Sequence, residues 1–126
     1  DFWMPFALSI LHEKHKKYLK NNKSIECDFM TIGFDTKVNN LQQIKAGTHP
    51  YDRTVRPQML KFNKNKNYYN LINKFYKLSG IPAVLNTSLN LHGYPIVNTP
   101  KDAIYVFENS KLDGLLLGKS LILRRK

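Results

Sequence analysis

Leu11, His15, Tyr18 and Leu19 recur at i, i+4, i+7 and i+8, a spacing that predicts one apolar stripe on a short helix. On that stripe His15 reads as a packed histidine. The segment before it, Trp3 to Leu11, reads as the start of a strand followed by a short apolar run. Cys27 to Phe34 is rich in strand formers and predicts a strand crossing the core. From Asp35 to Gln58 the periodicity is weak, and Gly47, Pro50 and Pro57 interrupt it, so a long structured loop with one helical turn is expected. Unstructured stretches of that length in a small domain are usually functional or disordered.

The pattern sharpens from Asn67 to Ser79, where Tyr68, Leu71, Ile72 and Phe75 take helical spacing and Gly80 with Pro82 ends the element. Pro82 to Asn86 predicts a short buried strand running into polar Thr87 and Ser88. Thr99, Pro100 and Asp102 predict an N-cap, a first-turn proline and a capping box. Ala103, Ile104 and Phe107 give that helix its core face. Leu115–Leu117 and Ser120–Leu123 read as two strands around a Gly118-Lys119 turn. Strand, helix, strand, helix and hairpin predict an α/β or α+β layer fold, one domain over residues 1–126, with no internal repeat and no second domain.

Composition narrows the function. The 126 residues are 42% hydrophobic, with seven Phe and seven Tyr, enough apolar surface for a packed core. No run has the length of a membrane span, and the first residues are not those of a signal peptide. A lone cysteine, Cys27, in an apolar stretch reads as a buried thiol, and the cytoplasm is the expected compartment. The chain has no initiator methionine and opens on core-like residues, which predicts a piece of a longer polypeptide.

A net charge of +11 attracts phosphates, nucleic acid or acidic surfaces alike. The lysines gather at Lys14, Lys16, Lys17, Lys20 and Lys23, and again at Lys61, Lys64, Lys66, Lys74 and Lys77. They read either as solvated faces or as a nucleic-acid footprint with Tyr68, Tyr69 and Tyr76 for stacking. Tyr68 falls on the helix stripe, which argues against nucleic acid.

Familiar catalytic templates are absent: no phosphate-binding glycine loop, no paired metal-binding motif, no nucleophile elbow. His12 and His15 lie among lysines, which disfavours a cation. Two polar clusters remain. Thr48 to Gln58 gathers His49, Asp52, Arg53, Thr54 and Arg56 on proline-stiffened backbone, either an anion clamp or a surface pair of Asp52 with Arg53 or Arg56. Leu85 to Pro95 delivers Asn86, Thr87, Ser88 and Asn90 from the end of a strand, with Gly93 close behind. It is either a binding loop or turn chemistry that satisfies its own backbone.

Five ordered blocks then carry a resemblance: Trp3-Met4-Pro5-Phe6-Ala7 with Ser9-Ile10-Leu11; Thr54-Val55-Arg56-Pro57-Gln58; Leu85-Asn86-Thr87-Ser88-Leu89-Asn90 with Gly93 and Pro95-Ile96-Val97; Thr99-Pro100 with Asp102-Ala103; and Leu112-Asp113 with Leu117-Gly118. The chain resembles, over nearly its whole length, the C-terminal region of the O-carbamoyltransferases of nodulation-factor and antibiotic tailoring. Thr87-Ser88-Leu89-Asn90 with Gly93 and Pro95 is also similar to the signature of YrdC-like nucleotide-binding proteins. The resemblance implies a YrdC-like twisted mixed sheet with flanking helices. It also implies an activity, in which ATP and carbamoyl phosphate form a carbamoyl adenylate, with magnesium (Mg2+) as companion of the nucleotide. An N-terminal actin-like ATPase-fold domain then passes the carbamoyl group to a hydroxyl acceptor.

By the same likeness, Arg56 would clamp phosphate, Asn86, Ser88 and Asn90 would orient nucleotide, carbamoyl group or hydrated magnesium, Thr87 and His49 would join the binding set, and no protein residue is expected to ligate a metal directly. Leu8, Leu89 and Tyr94 depart from the family pattern without removing an anion-binding side chain. The family's Lys-x-Arg cluster falls before Asp1, so an N-terminally truncated domain carrying part of a site is expected.

Overall fold

In the computed structural model, which describes residues 6–125, strand β1 spans Ala7–Leu11 and is buried from Leu8 onward. It pairs in parallel with β4 (Pro57–Leu60) and antiparallel with β5 (Ala83–Asn86), giving a mixed sheet of order β4-β1-β5. Successive side chains of a strand face opposite sides, and each side has its own core. Leu8, Ile10, Met59 and Ala83 pack with Tyr18, Leu19, Cys27, Phe34, Ile44 and Val55. Leu11 and Leu60 pack on the other side with Ile72, backed by Tyr68, Tyr69, Tyr76 and Val84. Trp3, Met4 and Pro5, expected to lead into β1, lie outside the described residues.

A polar network crosses the sheet. Ser9, fully buried at the centre of β1, donates its hydroxyl to Gln58 Oε1 at 2.8 Å and accepts Asn86 Nδ2 at 2.9 Å. An unpaired hydroxyl there would cost the full desolvation of the group. Three strands each supply one member of the network.

After β1 comes a 3-10 turn, His12–Lys17, in place of the predicted short helix. Leu11, His15, Tyr18 and Leu19 are all buried as expected, but Leu11 belongs to the strand. His15 accepts Asn21 Nδ2 on Nε2 at 3.1 Å and is bonded through Nδ1 to the His12 carbonyl. That pattern fixes the neutral tautomer, and burial lowers the His15 pKa accordingly.

The strand expected over Cys27–Phe34 does not form. Only Phe34–Asp35 is a strand, β2, paired with β3 at Thr54–Val55. Met30 takes a left-handed φ of 58°, which a run of paired strand residues does not tolerate, and Phe29 is 80% exposed. Cys27 is buried as read, its thiol donating to the Pro57 carbonyl at 3.1 Å. The segment expected as one long loop holds more structure: two 3-10 turns around α1 (Leu41–Ile44), then β3 and β4.

Helix α2 (Lys66–Ser79) is capped by Asn65 and closed by Gly80 at φ 74°, a left-handed stop suited to glycine. Its inward face is Tyr68, Tyr69, Ile72 and Tyr76, whereas Leu71 and Phe75 of the predicted stripe are exposed.

The structure divides into two compact units at the Thr87–Ser88 boundary. In the second, α3 (Pro100–Glu108) begins with the predicted capping box, Thr99 accepting from Asp102 N–H while the Asp102 carboxylate accepts from Thr99 N–H. Those bonds hold the Asp102 carboxyl below its usual range. Its buried face is Ala103, Val106 and Phe107; Ile104 points outward, since Val106 completes the stripe instead. Ala103 and Phe107 pack with Leu115 of the hairpin β6 (Gly114–Leu117) and β7 (Ser120–Leu123), whose turn has Gly118 at φ 61°.

Ile72→Ala should cost about 2–5 kcal/mol through the cavity it leaves, and Leu71→Ala less than about 0.5 kcal/mol as an exposed change. Urea denaturation of the two variants orders them, and equal losses would place the wrong face of α2 against the sheet. Ser9→Ala should cost about 1–3 kcal/mol, and a double-mutant cycle with Asn86→Ala should show coupling of about 0.5–3 kcal/mol.

Candidate anion-binding site

The segment Thr48–Thr54 is folded back on itself. Thr48 Oγ1 donates to the Ile44 carbonyl at 2.9 Å, His49 N–H to Thr54 O at 2.8 Å, and Arg53 N–H to His49 O at 3.1 Å. Asp52 closes the fold, its carboxylate accepting both Thr54 N–H and Thr54 Oγ1–H at 2.8 Å. His49 Nδ1 lies 3.2 Å from Asp52 Oδ1, within Coulombic reach but not aligned as a hydrogen bond. The Thr54 backbone N–H, then its hydroxyl, hold the Asp52 carboxyl below its usual range. A depressed carboxyl stabilises the fold above its unfolded pKa, and that contribution fades as pH falls through the folded value.

The expected alternative, a surface pair of Asp52 with Arg53 or Arg56, is therefore not what forms. Neither guanidinium has a carboxylate partner among the described residues. Arg56 sits exposed immediately before Pro57, where β4 begins. Together with His49, Thr54, Gly33, Gly47 and Phe6 it lines an open cleft of about 340 Å³. Gly47 is required by close approach, because a Cβ there would collide with the Leu8 side chain. Two of the residues singled out in the sequence, His49 and Arg56, thus share one concavity, and a planar guanidinium with no hydrogen-bond or carboxylate partner among the described residues suits a phosphate or carboxylate.

Asn86 is half-buried and commits Nδ2 to the sheet network. Its Oδ1 and the Nε2 protons of Gln58 take no partner among the described residues. Thr87 is exposed and makes no side-chain hydrogen bond among those residues. In the second unit Ser88 donates its hydroxyl to Asn90 Oδ1, and Asn90 Nδ2 donates to Leu91 O at 3.1 Å and Tyr94 O at 2.9 Å. This turn satisfies its own donors, so Ser88 and Asn90 offer acceptors outward. Ser9 and Gln58 complete the polar groups of the sheet. Ser9 was missed as a functional residue, although a lone hydroxyl inside an otherwise apolar strand signals that partners are needed.

Among the described residues no three of His, Cys, Asp and Glu group to hold a metal. The cleft's guanidinium and imidazole do not suit magnesium, a hard ion that takes oxygen ligands. The lysines are not a bare track: Lys61 pairs with Glu26 at 2.9 Å and Lys64 with Asp28 at 3.3 Å. Lys14, Lys17 and Lys66 lie over the rings of Tyr76, Tyr18 and Phe62. No helix among the described residues is long and apolar enough to cross a membrane.

Known proteins are similar to this sequence. An uncharacterized protein of Methanocaldococcus jannaschii, MJ1051, is 46% identical over 126 residues, 100% of this chain and 24% of that protein. Nodulation protein NolNO of Sinorhizobium fredii is 36% identical over 98% of this chain and 18% of its own length. Nodulation protein NolO of Bradyrhizobium diazoefficiens is 33% identical over 99% of this chain and 23% of its own length. The chain thus spans a quarter or less of these relatives. With residues 1–124 matching the family described as Carbamoyltransferase C-terminus, and with the mixed sheet and flanking helices that the likeness implies, the chain belongs to the carbamoyltransferase C-terminal family.

Proposed function

We propose that this chain is the part of a carbamoyltransferase that binds carbamoyl phosphate and ATP and forms a carbamoyl adenylate. On this reading an N-terminal actin-like ATPase-fold domain of the same enzyme transfers the carbamoyl group to a hydroxyl acceptor. The observation that carries the reading is Arg56, a guanidinium beside His49 in an open cleft, with no carboxylate partner among the described residues, in a chain of this family.

Adenylate formation then balances in two displacements: water takes the phosphoryl group of carbamoyl phosphate, releasing inorganic phosphate and carbamate, and a carbamate oxygen attacks the α-phosphorus of ATP and displaces pyrophosphate. Both substrates are anionic, so the demand on the protein is to align phosphates and offset their charge rather than to move protons far. Arg56 supplies a bidentate fork to one phosphate, and His49 borders the same cleft. A carbamoyl group presents one carbonyl and one NH2, and the uncommitted Gln58 Nε2 protons and Asn86 Oδ1 are the matching donor and acceptor. Thr87 offers a hydroxyl donor. Ser88 and Asn90, their donors spent on each other and on the turn, accept from ribose hydroxyls or amino groups rather than bind phosphate. Magnesium belongs on the nucleotide's own phosphates, and no protein ligand for it is assigned.

The nucleic-acid reading loses its stacking platform, because Tyr68, Tyr69 and Tyr76 pack on Leu11, Leu60 and Ile72.

The 126-residue chain alone should carbamoylate no hydroxyl acceptor, since it spans a quarter or less of its relatives; product formed from ATP, carbamoyl phosphate and a sugar acceptor would overturn this. In the full-length enzyme, Arg56→Ala should weaken ATP or carbamoyl phosphate binding by about 1.5–3 kcal/mol. Arg56→Lys and Ser88→Ala should each weaken it less, and Lys64→Ala and Lys66→Ala hardly at all. Calorimetry reads the contrast, and larger losses from the lysines than from Arg56 would move the site elsewhere.

A further inference from the structure

A second concavity in the first unit, of about 420 Å³, is walled by Val38, Leu41, Lys45, His49, Pro50 and Arg53. It carries none of the groups assigned to carbamoyl transfer except His49, which borders both clefts. No Asp or Glu lines it, and neither Lys45 nor Arg53 has a carboxylate partner among the described residues. Two unneutralised cations around one concavity repel each other, and an entering dianion relieves that repulsion while meeting both.

Arg53 is held there at a cost. Its backbone φ is 59°, a left-handed conformation that a long side chain rarely adopts and that glycine adopts freely. Two hydrogen bonds impose it: Arg53 N–H to His49 O at 3.1 Å and Thr36 Oγ1 to Arg53 O at 2.8 Å. An arginine at a position whose backbone favours glycine marks the guanidinium as the reason for the residue. Val38, 69% exposed, with Leu41 and Pro50 gives the other wall an apolar character.

The geometry points to a second anion site, between Arg53 and Lys45, for a phosphate monoester carrying an apolar or aromatic body. Arg53 takes the phosphate through its planar fork, Lys45 adds a point charge, and Val38, Leu41 and Pro50 cover the body. This assignment does not depend on the carbamoyltransferase reading, because it uses neither Arg56 nor the Asn86–Asn90 turn.

Phenyl phosphate, titrated calorimetrically into the full-length enzyme carrying Arg56→Gln, so that the first cleft lacks its guanidinium, is the direct probe, with inorganic phosphate and benzoate as partial ligands. Saturable one-to-one binding is expected, tighter for phenyl phosphate than for either partial ligand. Added to that parent, Arg53→Gln and Lys45→Gln should each weaken binding about tenfold or more, the loss of a charge-assisted contact, while Lys66→Gln changes it less than about threefold. Arg53→Gly separates binding from folding: it removes the guanidinium and relieves the backbone, so binding should fall while the melting temperature does not. The assignment is overturned by absence of saturable binding, by inorganic phosphate binding as tightly as phenyl phosphate, or by Lys66→Gln costing as much as Arg53→Gln.

Discussion

Strand β1 is the constraint on which the first unit depends. It is bonded along both edges, in parallel to β4 and antiparallel to β5, and covered on both faces. Such a strand tolerates no unsatisfied polar group, yet it carries Ser9 at its centre, fully buried. The hydroxyl is therefore tied to Gln58 on one neighbour and Asn86 on the other. These bonds fix the ends of both neighbouring strands, and from those ends the chain reaches Arg56 on one side and Thr87 on the other. The polar network is structural in origin, and on the proposed function it sets rigid backbone beneath Arg56 and Thr87.

Local signals were legible in the sequence and long-range ones were not. Thr99, Pro100 and Asp102 predict the start of α3 because capping chemistry is settled within one turn, and Gly80 and Gly118 mark a helix stop and a hairpin turn because their φ values are positive. Cys27–Phe34 misleads because strand propensity reflects fit to a half-buried pleated surface, and ahead of Phe34, which pairs with Val55 of β3, the segment's backbone meets a neighbouring strand through a single bond from Met59 N–H to Cys27 O among the described residues. On α2 the apolar count favoured Leu71 and Phe75, whereas tyrosines bury their ring bodies and keep their hydroxyls solvated or bonded, as Tyr69 does to Glu13 at 2.6 Å.

The site was legible to the same degree. That His49 and Arg56 belong together followed from their shared polar stretch. Which partner Asp52 takes did not, because it depends on the backbone fold of His49–Thr54, which brings Thr54 N–H and its hydroxyl to the carboxylate. Asn86, Ser88 and Asn90 read as one block in sequence, yet Asn86 bonds into the sheet and the other two bond to each other and to their own turn.

The net charge acquires meaning only when the acids are followed to their partners. Glu26 receives Lys61 and His12, Asp28 receives Lys64, Asp35 receives Lys20, Asp52 closes a turn and Asp102 caps a helix. The Glu26 carboxyl is held below its usual range, first by Lys61. None of these carboxylates pairs with Arg53 or Arg56, so the excess of twenty Lys and Arg over nine Asp and Glu is not smoothed evenly over the surface. Charges on convex ground are screened within about 10 Å at ordinary salt, whereas cations lining a concavity with low-dielectric walls focus their field into it. The two clefts that share His49 are such concavities. On the two proposed assignments, therefore, the placement of two arginines outweighs the larger number of lysines for an anion.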